Sequence, residues 1–197
     1  MLNTINDFKT MELFRNGKTN DIPYFEDSKS KELLIKIQPN SLEDLCAIFS
    51  LNRKHCEVGL SQYISNKKNY KNIKYIHPNL EKHLKSTFGV LVYQEQVIAI
   101  LQEFGNFSIE ESNLICKFMG KRLKNDLEKY SLRFEYFCLK NNSFINACQS
   151  SNQNPKVVIN QLWNYLCDES IFTFRYAFAV KSVAESYWIA FGITNNF

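Results

Sequence analysis

Apolar residues return every three or four positions along most of this chain, an interval that predicts helices rather than strands. The pattern is cleanest between Gly89 and Arg122. After the short run Val90-Leu91-Val92, the positions Tyr93, Val97, Ile100, Leu101 and Phe104 form one apolar face. Gln94, Glu95, Gln96 and Gln102 lie away from its centre, and Gly105 closes the helix. Ser108-Ile109-Glu110-Glu111 opens a second helix, because the serine oxygen takes a free backbone N–H while Glu111 reaches back to the serine's own. Leu114, Ile115, Phe118 and Met119 are its expected buried side. Gly120, the residue type best suited to a left-handed helix end, is the expected stop.

The same interval continues on both sides. Ile5, Phe8, Met11, Leu13 and Phe14 predict a short helix over 4–16 ending at Gly17, and Pro23 keeps the following link, 18–27, from being helical. Leu33, Leu34 and Ile37 mark a helix over 28–37 that Pro39 terminates. Ser41-Leu42-Glu43-Asp44 is a further capping-type start, followed by Leu45, Cys46, Ile48, Phe49 and Leu51. Asn66–Lys74, with its four lysines, reads as an exposed loop. Leu123–Lys140 is expected as one long helix with Leu123, Leu127, Tyr130, Phe134, Phe137 and Cys138 buried. The amide-rich stretch 141–154 reads as a flexible link with Phe144 and Ile145 anchoring one turn. Pro155 suits a first helical position before the stripe Val157, Val158, Leu162, Tyr165 and Leu166, and the aromatic segment 172–191 forms the last helix. The expectation is a mainly α protein with little or no sheet. It is organised as a single domain over 1–197, with a framework at 4–140, a link at about 141–154 and C-terminal helices at 155–192.

Composition changes this picture little. The formal charge of +4 suits a partner bearing phosphates but falls short of a tail that binds nucleic acid by electrostatics alone. The six cysteines show no Cys-x-x-Cys spacing and sit among apolar residues, so they read as buried free thiols of a reducing, cytoplasmic compartment. No run of apolar residues is long enough for a membrane span, and the start has no signal-peptide pattern. His55, His77 and His83 lack ligand-like spacing, no glycine-rich phosphate loop occurs, and no serine stands in a Gly-x-Ser-x-Gly elbow.

The motif Gly89-x-x-x-Tyr93-Gln94-Glu95-Gln96-Val97, followed one helix later by Met119-Gly120-Lys121-Arg122, resembles the fingers domain of bacterial replicative DNA polymerases of the C family, the DNA polymerase III alpha subunit. The resemblance extends upstream through Leu13-Phe14 with Gly17 and Thr19, Glu26, Lys31-Glu32-Leu33-Leu34, Pro39-Asn40 and Glu43-Asp44. It weakens at two places. Arg53-Lys54-His55-Cys56 replaces an Arg-Pro-Gly-Pro turn, and Thr173-Phe174-Arg175-Tyr176 replaces part of a Phe-Asn-Lys-Ser-His-Ser segment, with Arg175 in the place of the histidine if one residue is deleted.

What the resemblance implies is a positioning module for template and incoming nucleotide in DNA-directed DNA synthesis. By it, Arg53, Lys121, Arg122 and Arg175 would meet the nucleotide, Lys117, Lys129 and Arg133 the DNA, with Tyr93, Gln94, Glu95 and Gln96 as hydrogen-bonded support behind them. It implies primer-template DNA and a nucleoside triphosphate as partners, together with a separate palm-bearing polymerase chain and no membrane. The family's palm carboxylates hold magnesium; this chain has no Asp-x-Asp pair, so no catalytic residue, cofactor or metal is expected in it, and alone it should not polymerise. The cations also allow blander readings. Arg53 and Lys54 suit a solvated helix end, and the stripe Arg122, Lys129, Arg133 and Lys140 suits any amphipathic surface helix. The alternative from another class is a degenerate, non-catalytic helical protein that binds DNA or a replication protein.

Overall fold

The capping chemistry written into the sequence is carried out in the computed structural model, which describes residues 7–195. These form eleven α-helices and no strand, as the mainly α reading expects. The chain divides into two compact units, one from its two ends (residues up to 68 and from 174) and one from 69–173.

The first unit holds α1 (Phe8–Arg15), α2 (Ser28–Ile37), α3 (Leu42–Leu51), α4 (Glu57–Lys68) and α11 (Tyr176–Asn195). The expected contribution of Ile5 to α1 lies outside the described residues. Asp7, Asp27 and Ser41 cap the first three helices with side-chain oxygens on backbone N–H groups. Helix α11 packs against α1 and α3, burying Ala179, Val183, Tyr187 and Ala190 with Met11, Phe14, Leu45 and Ile48. Polar ties hold the two chain ends together. The Asp7 N–H donates to Tyr187 Oη at 2.7 Å, and Ser186 Oγ donates to the Pro23 carbonyl at 2.8 Å.

Lys67, expected in a free loop, instead lies in the last turn of α4, where its Nζ is 2.6 Å from Asp44 Oδ2. Tyr63 donates to the other oxygen of Asp44 at 2.8 Å, and the Asn40 N–H donates to Oδ2 at 2.7 Å. Both charges are largely removed from water, so this lysine is part of the scaffold.

The second unit holds α5 (Glu81–Leu84), α6 (Gln94–Gly105), α7 (Ile109–Gly120), α8 (Lys124–Lys140), α9 (Asn142–Ser150) and α10 (Pro155–Glu169) around Val97, Ile100, Leu101, Phe104, Ile115, Phe134, Phe144 and Leu162. Helix α6 docks on α7 and α8 with little space between: a Cβ at Gly105 would stand 2.4 Å from Phe107 Cε2 and 2.8 Å from Phe134 Cδ2. The segment 141–154, expected as a flexible link, carries α9. Its asparagines read as linker residues but act as caps: Asn141 Oδ1 accepts from the Phe144 N–H at 3.1 Å, and Asn152 takes the left-handed position after the helix at φ +52°. Phe144 and Cys148 bury the inner face.

The apolar stripe of α10 is rotated from the expected one. Ile159 and Trp163 are buried while Val157 is exposed, and Leu123 and Leu114 likewise face outward. Five of the six free thiols are buried, and burial pushes Cys46 and Cys116 up to about 12 and Cys167 to about 11, so they persist as unreactive thiols near neutrality. Among the described residues no helix is long and apolar enough to cross a membrane.

Candidate nucleic-acid interface

The corner between α7 and α8 concentrates positive charge. Lys117 and Lys121 share one face of the last turn of α7 by their spacing of four, and Arg122 and Lys124 follow directly; all four are exposed. Cations at a helix C-terminus are favoured by the partial negative charge of its last carbonyls. Arg122 and Lys124 line a cavity of about 520 Å³ together with the apolar Met119, Leu127 and Trp163 and the acidic Glu128 and Asp168.

The stop of α7 is built differently from expectation. Gly120 belongs to the helix proper, and the left-handed residue is Arg122 at φ +56°. The Arg122 N–H donates to the Met119 carbonyl and the Leu123 N–H to the Phe118 carbonyl, both at 3.0 Å, the paired bonds of a left-handed helix end. Helix α1 ends on the same two bonds, and there the left-handed residue is Gly17 at φ +63°. The reason for Gly120 is therefore not backbone conformation. A Cβ at this position would meet nothing within 4 Å, which leaves bare backbone beside four cations.

Elsewhere in the same unit, the motif residues form a hydrogen-bonded brace. Gln96, expected away from the apolar centre, is buried. Its Oε1 accepts from the Val92 and Tyr93 N–H groups, each at 2.9 Å, and its Nε2 donates to the His83 carbonyl at 3.1 Å and to Thr87 Oγ1 at 2.8 Å. Tyr93 is the buried cap residue of α6, Gln94 is half-buried, and Glu95 is exposed. At the far end of α6, Ser108 and Glu111 close the capping box that starts α7.

The remaining sequence candidates divide. Arg133 is committed within the chain: it pairs with Glu111, donates to the Asn106 carbonyl at 3.0 Å, and lies 4.7 Å over the Phe107 ring. The backbone N–H of Ser108 and then Arg133 hold the Glu111 carboxyl below its ordinary range. Lys129 rests 4.9 Å over the ring of Tyr130, exposed to solvent. Arg53 and Arg175 belong to the first unit. Arg53 Nε donates to the Ser50 carbonyl at 2.6 Å and its guanidinium lies 4.7 Å from the centre of Phe174, whereas Arg175, just before α11, is exposed.

Two cations escaped the sequence reading. Lys124 extends the α7–α8 corner and was hidden by its membership of the predicted long helix. Lys181 is exposed on α11 and precedes the buried Ser182. His77 is wholly buried, stacked on Phe144 at 4.0 Å. Its Nδ1 accepts from the Asn79 N–H at 3.2 Å, so Nε2 carries the proton and donates to the Phe144 carbonyl at 3.1 Å, and burial depresses its basicity. Among the described residues no three His, Cys, Asp or Glu side chains stand together as metal ligands.

The model of the bacterial DNA polymerase III alpha subunit finger domain matches residues 2–142. The DNA polymerase III subunit alpha of Borreliella burgdorferi is 34% identical over 129 residues, which is 66% of this chain and 11% of that protein. The subunits of Staphylococcus epidermidis and Staphylococcus aureus are each 34% identical over 128 residues, 65% of this chain and 12% of theirs. The chain spans about a tenth of the length of these curated relatives. Helices α10 and α11 lie beyond the matched stretch.

Proposed function

Because the chain belongs to the finger-domain family of the bacterial DNA polymerase III alpha subunit, we propose that it positions nucleic acid and an incoming nucleoside triphosphate for DNA synthesis and leaves bond formation to palm carboxylates on another polymerase segment. The observation that carries this reading is the exposed α7–α8 corner. Lys117, Lys121, Arg122 and Lys124 surround a backbone position with no side chain, and Gln96 braces the start of α6 in the same unit. Such a surface neutralises phosphate oxygens and fixes their place relative to a reacting group, and fixed placement is the main protein contribution to a displacement with little covalent chemistry of its own. Lys129 adds to the same charge from the second turn of α8. Arg133, held by Glu111, orients α8 against α7 rather than meeting DNA.

The test is binding of a primer-template duplex across a salt series, with the Lys121→Ala/Arg122→Ala variant alongside. Each phosphate contact contributes a slope of about 0.9 in log affinity against log salt, so the double variant is expected to lower the slope by about 2. Equal slopes for the two proteins, with both folded, would remove the corner from the interface. Absence of all duplex binding would instead favour a helical scaffold for a protein partner.

A further inference from the structure

In the first unit, where the chain departs from its family's pattern, aromatic rings have gathered. Tyr24, Phe49, Phe174 and Phe178 form one edge-to-face series: Tyr24 to Phe49 is 5.3 Å, Phe49 to Phe174 is 5.5 Å, and Phe174 to Phe178 is 5.6 Å between ring centres. Arg53 lies 4.7 Å over Phe174. The inner rings, Phe49 and Phe174, are partly buried and hold the outer two, Tyr24 and Phe178, which stand 46% and 54% exposed. Edge-to-face contacts of this kind fix ring orientation, so the outer rings are displayed rather than loose.

The face of α11 continues the pattern. Arg175 precedes the helix, and Phe178, Lys181, Glu185 and Trp188 follow at intervals of three or four, all exposed, with Trp188 at 50%. Phe178 and Trp188 are ten residues apart, about 15 Å of helix axis. Nearby charges are Arg53, Lys54, Arg175 and Lys181, set against Glu43 and Glu185.

We infer that this face is a stacking surface for unpaired bases of single-stranded nucleic acid, with Phe178, Trp188 and Tyr24 as the ring partners and Arg175, Lys181 and Lys54 as the phosphate partners. The inference rests on the reading that this chain meets nucleic acid, and it names a second ligand class, the single strand, at a separate set of residues. Rings interspersed with cations on one helix face suit a strand, since every base presents a flat face and every linkage a charge; Glu185 is the anion on that face. A protein partner does not require rings and cations to be interspersed, and a plain core face would not leave two rings half in water.

The experiment follows binding of a short fluorescein-labelled oligothymidylate by anisotropy, beside the primer-template duplex. Phe178→Leu, which keeps apolar bulk and removes the flat ring, is expected to weaken oligothymidylate binding about tenfold, while Phe178→Trp restores it. Lys181→Gln is expected to lower the salt slope for the oligothymidylate by about 1. Circular dichroism of each variant establishes that it is folded. Salt-sensitive duplex binding without oligothymidylate binding, or equal oligothymidylate affinity for Phe178→Leu and the parent, overturns the stacking surface and leaves the proposed function standing. Loss of both ligands overturns both. Concentration-dependent self-association abolished by Phe178→Leu, without binding of either nucleic acid, assigns the rings to a protein contact and overturns the inference.

Discussion

Arg122 is the residue at which stability and binding are set against each other, and Arg122→Gly separates them. A side chain with a Cβ in the left-handed region costs about 1–2 kcal/mol relative to its ordinary backbone conformations. Glycine removes that cost but loses about 0.4–1 kcal/mol through the greater freedom of the unfolded chain, so Arg122→Gly should stabilise the second unit by about 0.5–1 kcal/mol. In a protein of this size that amounts to an upward shift of about 1–3 °C in melting temperature. Arg122→Ala removes the same charge but retains the Cβ, and should leave stability near that of the parent. The difference between the two variants therefore isolates the backbone contribution. The reciprocal change, Gly17→Ala, places a Cβ at φ +63° and 3.1 Å from Ile35 Cδ1, and should destabilise the first unit by at least about 1 kcal/mol. Each unit contains one tryptophan, Trp163 in the second and Trp188 in the first, so urea unfolding followed by fluorescence in a Trp188→Phe background reports on the second unit alone. If Arg122→Gly and Arg122→Ala unfold at the same urea concentration, the strain argument fails. If both weaken duplex binding equally while only the glycine variant gains stability, the guanidinium earns its strained position through phosphate contact.

Three further outcomes follow from the packing. Gly105→Ala forces a methyl group into the rings of Phe107 and Phe134 and should cost about 2 kcal/mol or more by urea unfolding followed at Trp163. Gln96→Leu leaves the buried N–H groups of Val92 and Tyr93 without their acceptor and should cost about 2–4 kcal/mol, seen also as faster hydrogen exchange at both amides. His77 is held neutral by burial, so its folded pKa lies below its unfolded value of about 6.5; the unfolded state takes up the extra proton as pH falls. Stability should therefore drop from pH 7 towards pH 5.5 with a slope of at most about 1.4 kcal/mol per pH unit, and His77→Phe should flatten that slope relative to the parent. The lowered carboxylates Asp7, Asp27 and Glu111 act in the same direction but below about pH 4.5, so the two windows separate.

The sequence by itself determined the helices and most of their ends. Ser41, Ser108 and Pro155 announce helix starts through local hydrogen bonding and fixed backbone angles, and the interval of three to four from Tyr93 to Phe104 selects the buried face of α6, because these are interactions within one or two turns. The motifs 89–97 and 119–122 likewise pointed to the family that the comparisons show. Tertiary structure alone decided which polar residues remain available. Lys67 and Arg133 look like surface cations in the sequence, yet Asp44 and Glu111, 23 and 22 residues away, take them up. Gln96 reads as surface in a helical pattern but is drawn inward by unpaired N–H groups of its own cap. The asparagines of 141–154 read as a link because amide side chains favour both loops and caps, and only the burial of Phe144 and Cys148 against the second core selects the helix between them. Pairing of α11 with α1 and α3, and the ring series it completes, joins the two ends of the chain. Periodicity, which records only local neighbours, has no means of specifying a contact between positions 7 and 187.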